Sequence, residues 1–193
     1  MESENELKTS GEELYRRFLS GDNDAFVELV KIYQDELSRY IYGIVRDYHE
    51  TEHLTIETFS QLVLNNKKFD GKSSLKTYLF AIGKNLSFQL LKKRKREQHL
   101  PFEDVTMMPA DEGETPYSLM EREDTRHYLH EVMRELKDDY RAVLILLYFE
   151  DMSYIQAGRA MRKSEKQIKN LAHRAKAALK NKLALRGYVY NSI

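Results

Sequence analysis

Apolar side chains recur at intervals of three and four residues along most of this 193-residue chain, which is the spacing of an α-helix. Asp22 is a candidate N-cap for a long helix. The apolar positions of that helix are Ala25, Phe26, Leu29, Val30, Tyr33, Leu37, Tyr40, Ile41 and Ile44. A second helix is predicted to begin at Thr51 or Glu52, and Asp138 or Asp139 is expected to cap another in the second half of the chain. No run alternates like a strand, so the pattern predicts an all-α fold.

Polar segments interrupt this pattern at two places. Residues 65–74 are rich in Asn, Lys, Asp, Gly and Ser and are predicted to form a loop, followed by a helix that starts at Leu75. All three prolines lie within residues 98–116, which also carry many acidic side chains, so this segment is predicted to be a flexible linker. The chain therefore divides into two helical domains, residues 1–97 and 117–193.

The second domain contains two candidate capping boxes of the form S-x-x-Q, Ser153 with Gln156 and Ser164 with Gln167. They predict a short helix followed after a turn by a longer one, which together have the dimensions of a helix-turn-helix. The positions expected to pack these two helices together are Tyr154 or Ile155, Met161, Ile168, Leu171 and Ala175.

The charged residues balance, with 31 Lys and Arg against 31 Asp and Glu, but they are unevenly distributed. Residues 72–96 hold eight basic and no acidic side chains, and residues 162–186 hold nine basic and one acidic. Residues 1–60 and 97–124 each have a net charge of −8. An ordinary solvated helix face explains either basic segment, but two of them also fit a polyanionic partner. The neutral total therefore does not exclude nucleic acid.

Composition and motifs limit the chemistry. The absence of cysteine excludes disulfides, thiolate zinc sites and a cysteine nucleophile, and it fits a reducing cytoplasm. No apolar run approaches 18 residues and no signal peptide is indicated, so we expect a cytoplasmic protein without membrane insertion. His49, Glu50 and His53 fit H-E-x-x-H, but a helix break is predicted between the histidines and no third ligand is indicated. We therefore predict no catalytic residue, no metal site and no cofactor.

Each basic segment has a nucleic-acid interpretation and a purely structural one. In the first, aromatic side chains are interleaved with lysines, which suits the stacking and phosphate pairing that single strands need. The same aromatics are equally expected in a helical core. In the second, the start of the longer helix presents polar and basic side chains that can reach base edges in a major groove. An ordinary helix pair with a basic, solvated face explains the same pattern.

Separate segments spread over residues 12–183 resemble the extracytoplasmic-function (ECF) group of bacterial sigma-70 factors. The segments are GDNDAF at residues 21–26, HLTIETF at 53–59, FDG at 69–71, SLKTYLFAI at 74–82, RAVL at 141–144 and YFEDMSY at 148–154. The resemblance implies an alternative sigma factor, which is not an enzyme. Such a subunit binds core RNA polymerase and directs initiation at promoters by recognising −10 and −35 elements.

The resemblance also implies which residues carry each task. Those that would dock on the clamp helices of the polymerase β′ subunit are Glu52, His53, Leu54, Thr55, Glu57, Thr58, Phe59 and Gln61. Those that would melt and read the −10 element are Lys67, Lys68, Phe69, Asp70, Gly71, Ser73, Lys76, Tyr78, Lys84, Asn85, Lys92, Lys93 and Arg94. Those that would read the −35 element are Ser153, Ser164, Glu165, Lys166, Gln167, Lys169, Asn170, His173, Arg174 and Lys176.

Partners follow from the same resemblance: core RNA polymerase through its β′ clamp helices and β flap, promoter DNA, and an anti-sigma factor, which in this family is often membrane-anchored. Two other functions stay open at this point. One is a transcription regulator that uses the helix-turn-helix without joining polymerase. The other is a metal-dependent hydrolase that uses His49, Glu50 and His53.

The chain departs from the family pattern at a few positions. Tyr78 stands where the family usually has Trp. Gly158 replaces a usual Ala and is expected to weaken the short helix by up to roughly 1 kcal/mol. Arg162 occupies a turn position that is often Gly, so strain is expected if the backbone there has positive φ. Lys166 and Gln167 replace a common Gly-Thr pair, so the promoter sequence itself is not predicted.

Overall fold

The computed structural model describes residues 10–65, 69–97, 129 and 131–186. Helices α1 to α4 span Gly11–Leu19, Asn23–Val45, Tyr48–Leu64 and Leu75–Glu97. Helices α5 to α7 span Asp138–Tyr148, Tyr154–Met161 and Glu165–Leu185, and residues 131–134 are helical as well. No strand occurs in these described ranges, which confirms the all-α prediction. The predicted linker, residues 98–116, lies outside them.

Side-chain caps fix where the helices of the first domain begin. The Asp22 carboxylate accepts a hydrogen bond from the Ala25 amide at 3.2 Å, as predicted. Asp47 caps α3 in the same way through the Glu50 amide at 3.0 Å, so this helix begins at Tyr48. The predicted start at Thr51 or Glu52 was therefore wrong, because the carboxylate of Asp47 satisfies an amide of an earlier turn.

The second domain confirms both capping boxes and corrects one cap. Ser153 with Gln156 and Ser164 with Gln167 make the reciprocal side-chain bonds at the starts of α6 and α7. The prediction that Asp138 or Asp139 caps α5 was wrong. Lys137 occupies that position without a side-chain bond, and Asp138 instead accepts a hydrogen bond from Arg141 at 3.1 Å.

The turn between α6 and α7 is compact and uses two special positions. Arg162 has φ 55° and ends α6 in the left-handed conformation, which the sequence pattern anticipated as a source of strain. A Cβ at Gly158 would lie 2.7 Å from the Lys163 carbonyl oxygen, inside van der Waals contact. Gly158 therefore permits this close approach, and its role is steric as well as a matter of helix propensity.

One continuous apolar core runs through the molecule. Helix α2 lies at its centre and contributes Leu29, Leu37 and Ile41, all with no exposed surface. Helix α5 packs on α2, and α6 packs on α4, so the two domains share this core. Within the part of the chain that the structure describes, no helix has both the length and the apolar character needed to cross a membrane.

The helix-turn-helix is packed mostly as predicted. Met161, Ile168, Leu171 and Ala175 are buried between its helices. The assignment of Tyr154 or Ile155 to that contact was wrong, because both side chains are exposed, by 36% and 54%. Ala157 and Ala160 carry the inner face of α6 instead.

Candidate functional site

The outer face of α3 presents a groove against α2. Its volume is about 410 Å³, and its lining residues are Gln34, Asp35, Ser38, Tyr48, Thr51, Glu52, Thr55 and Ile56. Tyr48 and Ile56 are exposed by 76% and 62%, and they lie among acidic side chains. An exposed apolar pair with an acidic rim suits a partner surface that combines apolar and basic groups.

The residues predicted to dock on the polymerase clamp helices differ in how far they are buried. Glu52, His53 and Glu57 are exposed, and Thr55 and Gln61 are half-buried. Leu54, Thr58 and Phe59 lie in the core and hold α3 against its neighbours, so their part in a contact is indirect. The prediction omitted Tyr48 and Ile56. Their signal was apolar character at positions that fall off the buried stripe of the helix.

Helix α3 is continuous from Tyr48, so the predicted break between His49 and His53 was wrong and both histidines lie on one face. Glu50, the glutamate of the H-E-x-x-H motif, forms an ion pair with α4, because its carboxylate lies 3.3 Å from Arg94 Nη2. Within the described ranges, no group of three or more His, Cys, Asp or Glu side chains is arranged to hold a metal ion. The motif therefore lacks the ligand set of a zinc site.

The loop before α4 is built on an aromatic cluster. The Phe69 ring lies 5.7 Å from that of Tyr15 and 5.3 Å from that of Tyr78, measured between centroids. Asp70 accepts from the Lys72 amide at 3.1 Å and from its ammonium group at 2.6 Å, which lowers the pKa of Asp70. Gly71 has φ 72° and is exposed at the tip. Lys67 and Lys68, also predicted to contact the −10 element, lie outside the described residues.

Helix α1 fixes the start of α4. The Glu12 carboxylate accepts a hydrogen bond from the Leu75 amide at 2.7 Å, across 63 positions of the chain. The Tyr15 hydroxyl, beside Phe69, donates to the Leu62 carbonyl at 3.3 Å. These two bonds tie the candidate −10 loop to α1 and α3.

Glu12→Ala is expected to lower the free energy of unfolding by about 1 kcal/mol, because the first turn of α4 loses its acceptor. Denaturant unfolding of the full chain measures the change. Glu12→Gln, which keeps a side-chain oxygen, should recover most of the loss, and Glu13→Ala is the neighbouring control. An equal loss in Glu13→Ala would contradict this role for Glu12.

The cationic residues predicted on α4 differ in accessibility. Lys92 and Lys93 are exposed, and Asn85 is half-buried. Arg94 Nη2 donates to Asp47 at 2.7 Å, which joins α4 to the start of α3. Lys84 is only 9% exposed and lies over the Phe88 ring at 4.9 Å. Burial lowers the pKa of Lys84.

Lys76 is held between the domains. Its ammonium group lies 2.8 Å from a Glu36 carboxylate oxygen of the first domain and 3.5 Å from one of Glu150 in the second. Ser73 and Tyr78, on either side of it in the sequence, are half-buried. The described residues of the predicted −10 set therefore differ in accessibility, and Lys76 is the one in contact with Glu150 of the second domain.

Helix α7 presents its predicted residues to solvent together. The exposed set is Glu165, Lys166, Gln167, Lys169, Asn170, His173, Arg174 and Lys176. Ser164 and Ser153 serve as N-caps of the two helices. Lys169 lies over the Tyr154 ring at 5.7 Å and Lys176 over the Tyr148 ring at 5.9 Å, which orients both ammonium groups along one side. The exposed set carries four basic side chains and one acidic one.

Two sequence profiles match the chain. Sigma-70 region 2 matches residues 29–97 and sigma-70 region 4 matches residues 126–179, so that together they span 123 of the 193 residues. The ECF RNA polymerase sigma factor SigW of Bacillus subtilis is 28% identical over 174 residues, which cover 84% of this chain and 91% of SigW. The chain belongs to the ECF group of the sigma-70 family.

Two solved structures share the fold. CnrH in complex with the cytosolic domain of CnrY superposes with a TM-score of 0.66 at 20% identity, covering 89% of this chain and 96% of CnrH. RpoE of Bartonella quintana in complex with the anti-sigma factor NepR gives 0.62 at 22% identity, covering 82% and 96%. The two-domain helical architecture expected from the sequence is thereby confirmed.

As an alternative sigma factor, the chain directs transcription, and this prediction from the sequence is confirmed at the level of the family. The two matched regions correspond to the two surfaces described above. Region 2 contains α3, the aromatic loop and α4, and region 4 contains the helix-turn-helix of α6 and α7. Helix α1 precedes the residues matched by region 2. Its residues Glu12 and Tyr15 nevertheless hold the loop before α4 in place through their hydrogen bonds to Leu75 and Leu62.

Proposed function

We propose that this sigma factor joins core RNA polymerase through the groove between α2 and α3 and selects promoters with two separate surfaces. The loop at residues 69–74 and α4 read and melt the −10 element, and α7 reads the −35 element. Polymerase supplies the chemistry, and the sigma factor has no catalytic residue of its own. The single observation that carries this assignment is the exposure of all eight residues predicted on α7, seven of them polar or basic.

The −10 assignment is supported by the aromatic and cationic character of its loop. Flipping a base out of the duplex costs a few kcal/mol, and stacking on aromatic rings with cationic neighbours offsets that cost. Phe69 and Tyr78 supply the rings, and Lys72 in the same loop supplies a cationic group, which is paired with Asp70 in this structure. Tyr78 keeps a ring where relatives usually have Trp.

The boundaries that follow are residues 1–97 for the polymerase-binding and −10 domain, 98–116 for the linker and 117–193 for the −35 domain. The first domain ends where α4 ends, at Glu97. The acidic linker separates two basic surfaces, and its 19 residues extend to at most about 68 Å. We place the protein in the cytoplasm, where its polymerase partner is.

An anti-sigma factor is a second proposed partner. The solved structure of RpoE contains the bound anti-sigma factor NepR, and that of CnrH contains the bound cytosolic domain of CnrY. A partner of this kind for the present chain should compete with core polymerase, so excess core enzyme would displace it. Simultaneous stable binding of both would contradict the proposal.

Ile56→Asp tests the polymerase surface. We expect at least about a tenfold loss of affinity for core polymerase, because a charge replaces an exposed apolar anchor in the groove and costs 1.4 kcal/mol or more. Affinity is measured with labelled sigma factor and purified core enzyme, and promoter-directed transcripts should fall in parallel.

Val27→Asp is the matched control, since Val27 lies on α2, away from the groove lining, and is 50% exposed. It should bind core polymerase like the unmodified chain. Equal losses in the two variants would overturn the assignment of the groove. A chain that binds duplex DNA but never core polymerase would instead be a regulator acting through its helix-turn-helix alone.

A further inference from the structure

Two tyrosines outside the predicted −35 set lie under lysines of α7. Lys169 Nζ is 5.7 Å from the centre of the Tyr154 ring, and Lys176 Nζ is 5.9 Å from that of Tyr148. Tyr148 is the last residue of α5, and Tyr154 is the first residue of α6. The segment YFEDMSY at residues 148–154 therefore contacts α7 through an aromatic ring at each of its ends.

These two lysines lie on one flank of α7. They are seven positions apart in the sequence, which is close to two helical turns and about 10 Å along the axis. At about 100° per residue, His173 lies opposite the fully buried Ala175. Lys169 and Lys176 are rotated from His173 by about 40° and 60° in the same direction. His173 is therefore on the outer line of the helix, and the two lysines face α5 and α6.

The flank of a helix in a major groove has a different task from its outer line. Side chains on the outer line reach base edges, while side chains on the flanks lie near the phosphates at the edges of the groove. Lysine binds phosphate as a point charge on a flexible stem, and it loses much of its rotamer freedom when it does so. A group that already holds the lysine in place reduces that loss and strengthens binding.

Core packing does not account for these two rings. Tyr148 and Tyr154 are exposed by 52% and 36%, so each keeps much of its surface in solvent. A ring face and an anion can share one ammonium group, because that group has three donors. Lys169 has a further contact, the Glu165 carboxylate at 2.5 Å, which raises the pKa of Lys169. Lys169 is therefore charged and held by two neighbouring groups.

We propose that Tyr148 and Tyr154 are positioning residues for −35 recognition, each holding one lysine of α7 toward the phosphates along one edge of the major groove. The tyrosines act through Lys169 and Lys176 and make no base contact of their own. The proposal rests on the function proposed above, since it takes α7 as the helix that binds the −35 element. It adds to that function a platform of two rings, one from α5 and one from α6.

Tyr154→Leu removes the ring and keeps an apolar side chain. We expect the holoenzyme to bind promoter duplex about two- to fivefold more weakly, which is the range of an exposed cation–π contact. Tyr154→Phe keeps the ring and should bind like the unmodified chain. Unchanged affinity in Tyr154→Leu would overturn the proposal. An equal loss in Tyr154→Phe would overturn it as well, because the hydroxyl would then be the group that acts on DNA.

A double-mutant cycle with Lys169→Met separates positioning from a general structural role. If Tyr154 acts through Lys169, adding Tyr154→Leu to Lys169→Met should weaken binding no further. A loss that is the same in both backgrounds would show that Tyr154 acts independently of the lysine, which contradicts the proposal. Tyr148→Leu with Lys176→Met should behave in the same way.

The salt dependence of binding distinguishes a residue that touches phosphate from one that positions it. Lys169→Met should lower the slope of log affinity against log salt by about one, because one phosphate contact is lost. Tyr154→Leu should lower the affinity and leave the slope unchanged, since the lysine still pairs with its phosphate. An unchanged slope in Lys169→Met would overturn the assignment of this flank to phosphate.

Phe149→Leu is the matched control, because Phe149 is a neighbouring aromatic residue with 56% exposure and each lysine already lies over a tyrosine. The holoenzyme with this variant should bind promoter duplex like the unmodified one. An equal loss there would contradict a role that is specific to the two tyrosine–lysine pairs.

The positioning role and the proposed function fail in different ways in these measurements. If the unmodified holoenzyme binds promoters regardless of the −35 sequence, the proposed function of α7 fails. If binding depends on the −35 sequence and both tyrosine-to-leucine variants preserve it in full, the positioning role alone fails.

Discussion

Reversing two charges on the outer face of α7, with Lys166→Glu and Arg174→Glu, will remove −35-dependent initiation while leaving core binding intact. Both side chains are exposed, Lys166 in the first turn and Arg174 near the middle of the helix, and Arg174 Nε donates to the Asn170 carbonyl of its own helix at 3.4 Å. Each lost DNA contact costs about 1–3 kcal/mol, so two reversals should reduce promoter-directed transcripts by at least about 30-fold.

The salt dependence of binding separates base contacts from phosphate contacts in this variant. Each phosphate contact removed should lower the slope of log affinity against log salt by about one, whereas a lost base contact leaves the slope unchanged. Binding is measured with duplex DNA carrying the promoter found by mapping transcription start sites.

Arg16→Glu with Lys31→Glu is the charge-matched control, since both of these side chains are exposed on helices of the first domain, away from α7. The control should retain −35-dependent initiation. A comparable loss would show that the chain's total charge governs the effect, and loss of core binding in the α7 variant would contradict the separation of tasks between the domains.

The sequence predicted α7 and its exposed face well, because local chemistry determines both. Ser164 and Gln167 form a capping box that fixes the start of the helix and therefore its rotational register. Ile168 and Leu171 then mark the buried side. Once the start and the buried side are known, the remaining positions follow from 3.6 residues per turn.

The start of α3 was harder to predict from the same kind of information. Tyr48 and His49 are both exposed, so no apolar periodicity marks the first turn. Its only local signal was Asp47 as a cap, with its bond to the Glu50 amide. The error mattered, because it put a break inside H-E-x-x-H and excluded Tyr48 from the groove where it lies.

The surface of α4 could not be predicted from local pattern. From the sequence, Lys84 is expected to be a solvated lysine in a basic segment, but in the structure it is nearly buried. Lys76 meets Glu150, 74 positions away in the sequence. Neither contact leaves a periodic signal, because each depends on how two separately folded segments pack.

Gly158→Ala will destabilise the helix-turn-helix, although alanine favours a helix by up to about 1 kcal/mol over glycine. Its Cβ would lie 2.7 Å from the Lys163 carbonyl oxygen, which belongs to backbone that cannot rotate away. The Lys163 amide also donates to the Gly158 carbonyl at 2.9 Å, so the turn has little freedom to shift. Overpacking of this kind costs about 1–3 kcal/mol.

Gly83→Ala is the matched control, because it makes the same chemical change inside a helix. Its new Cβ would meet the Leu37 Cδ1 and Ile41 Cδ1 atoms at 3.0 and 3.3 Å, and these are the ends of flexible side chains. Hydrogen exchange at the amides of α6 and α7 should accelerate in Gly158→Ala and stay unchanged in Gly83→Ala. Since the turn orients α7, −35-dependent transcripts should fall with Gly158→Ala as well. Equal protection of α6 and α7 in the two variants would mean that the turn yields without cost, and that Gly158 matters only through helix propensity.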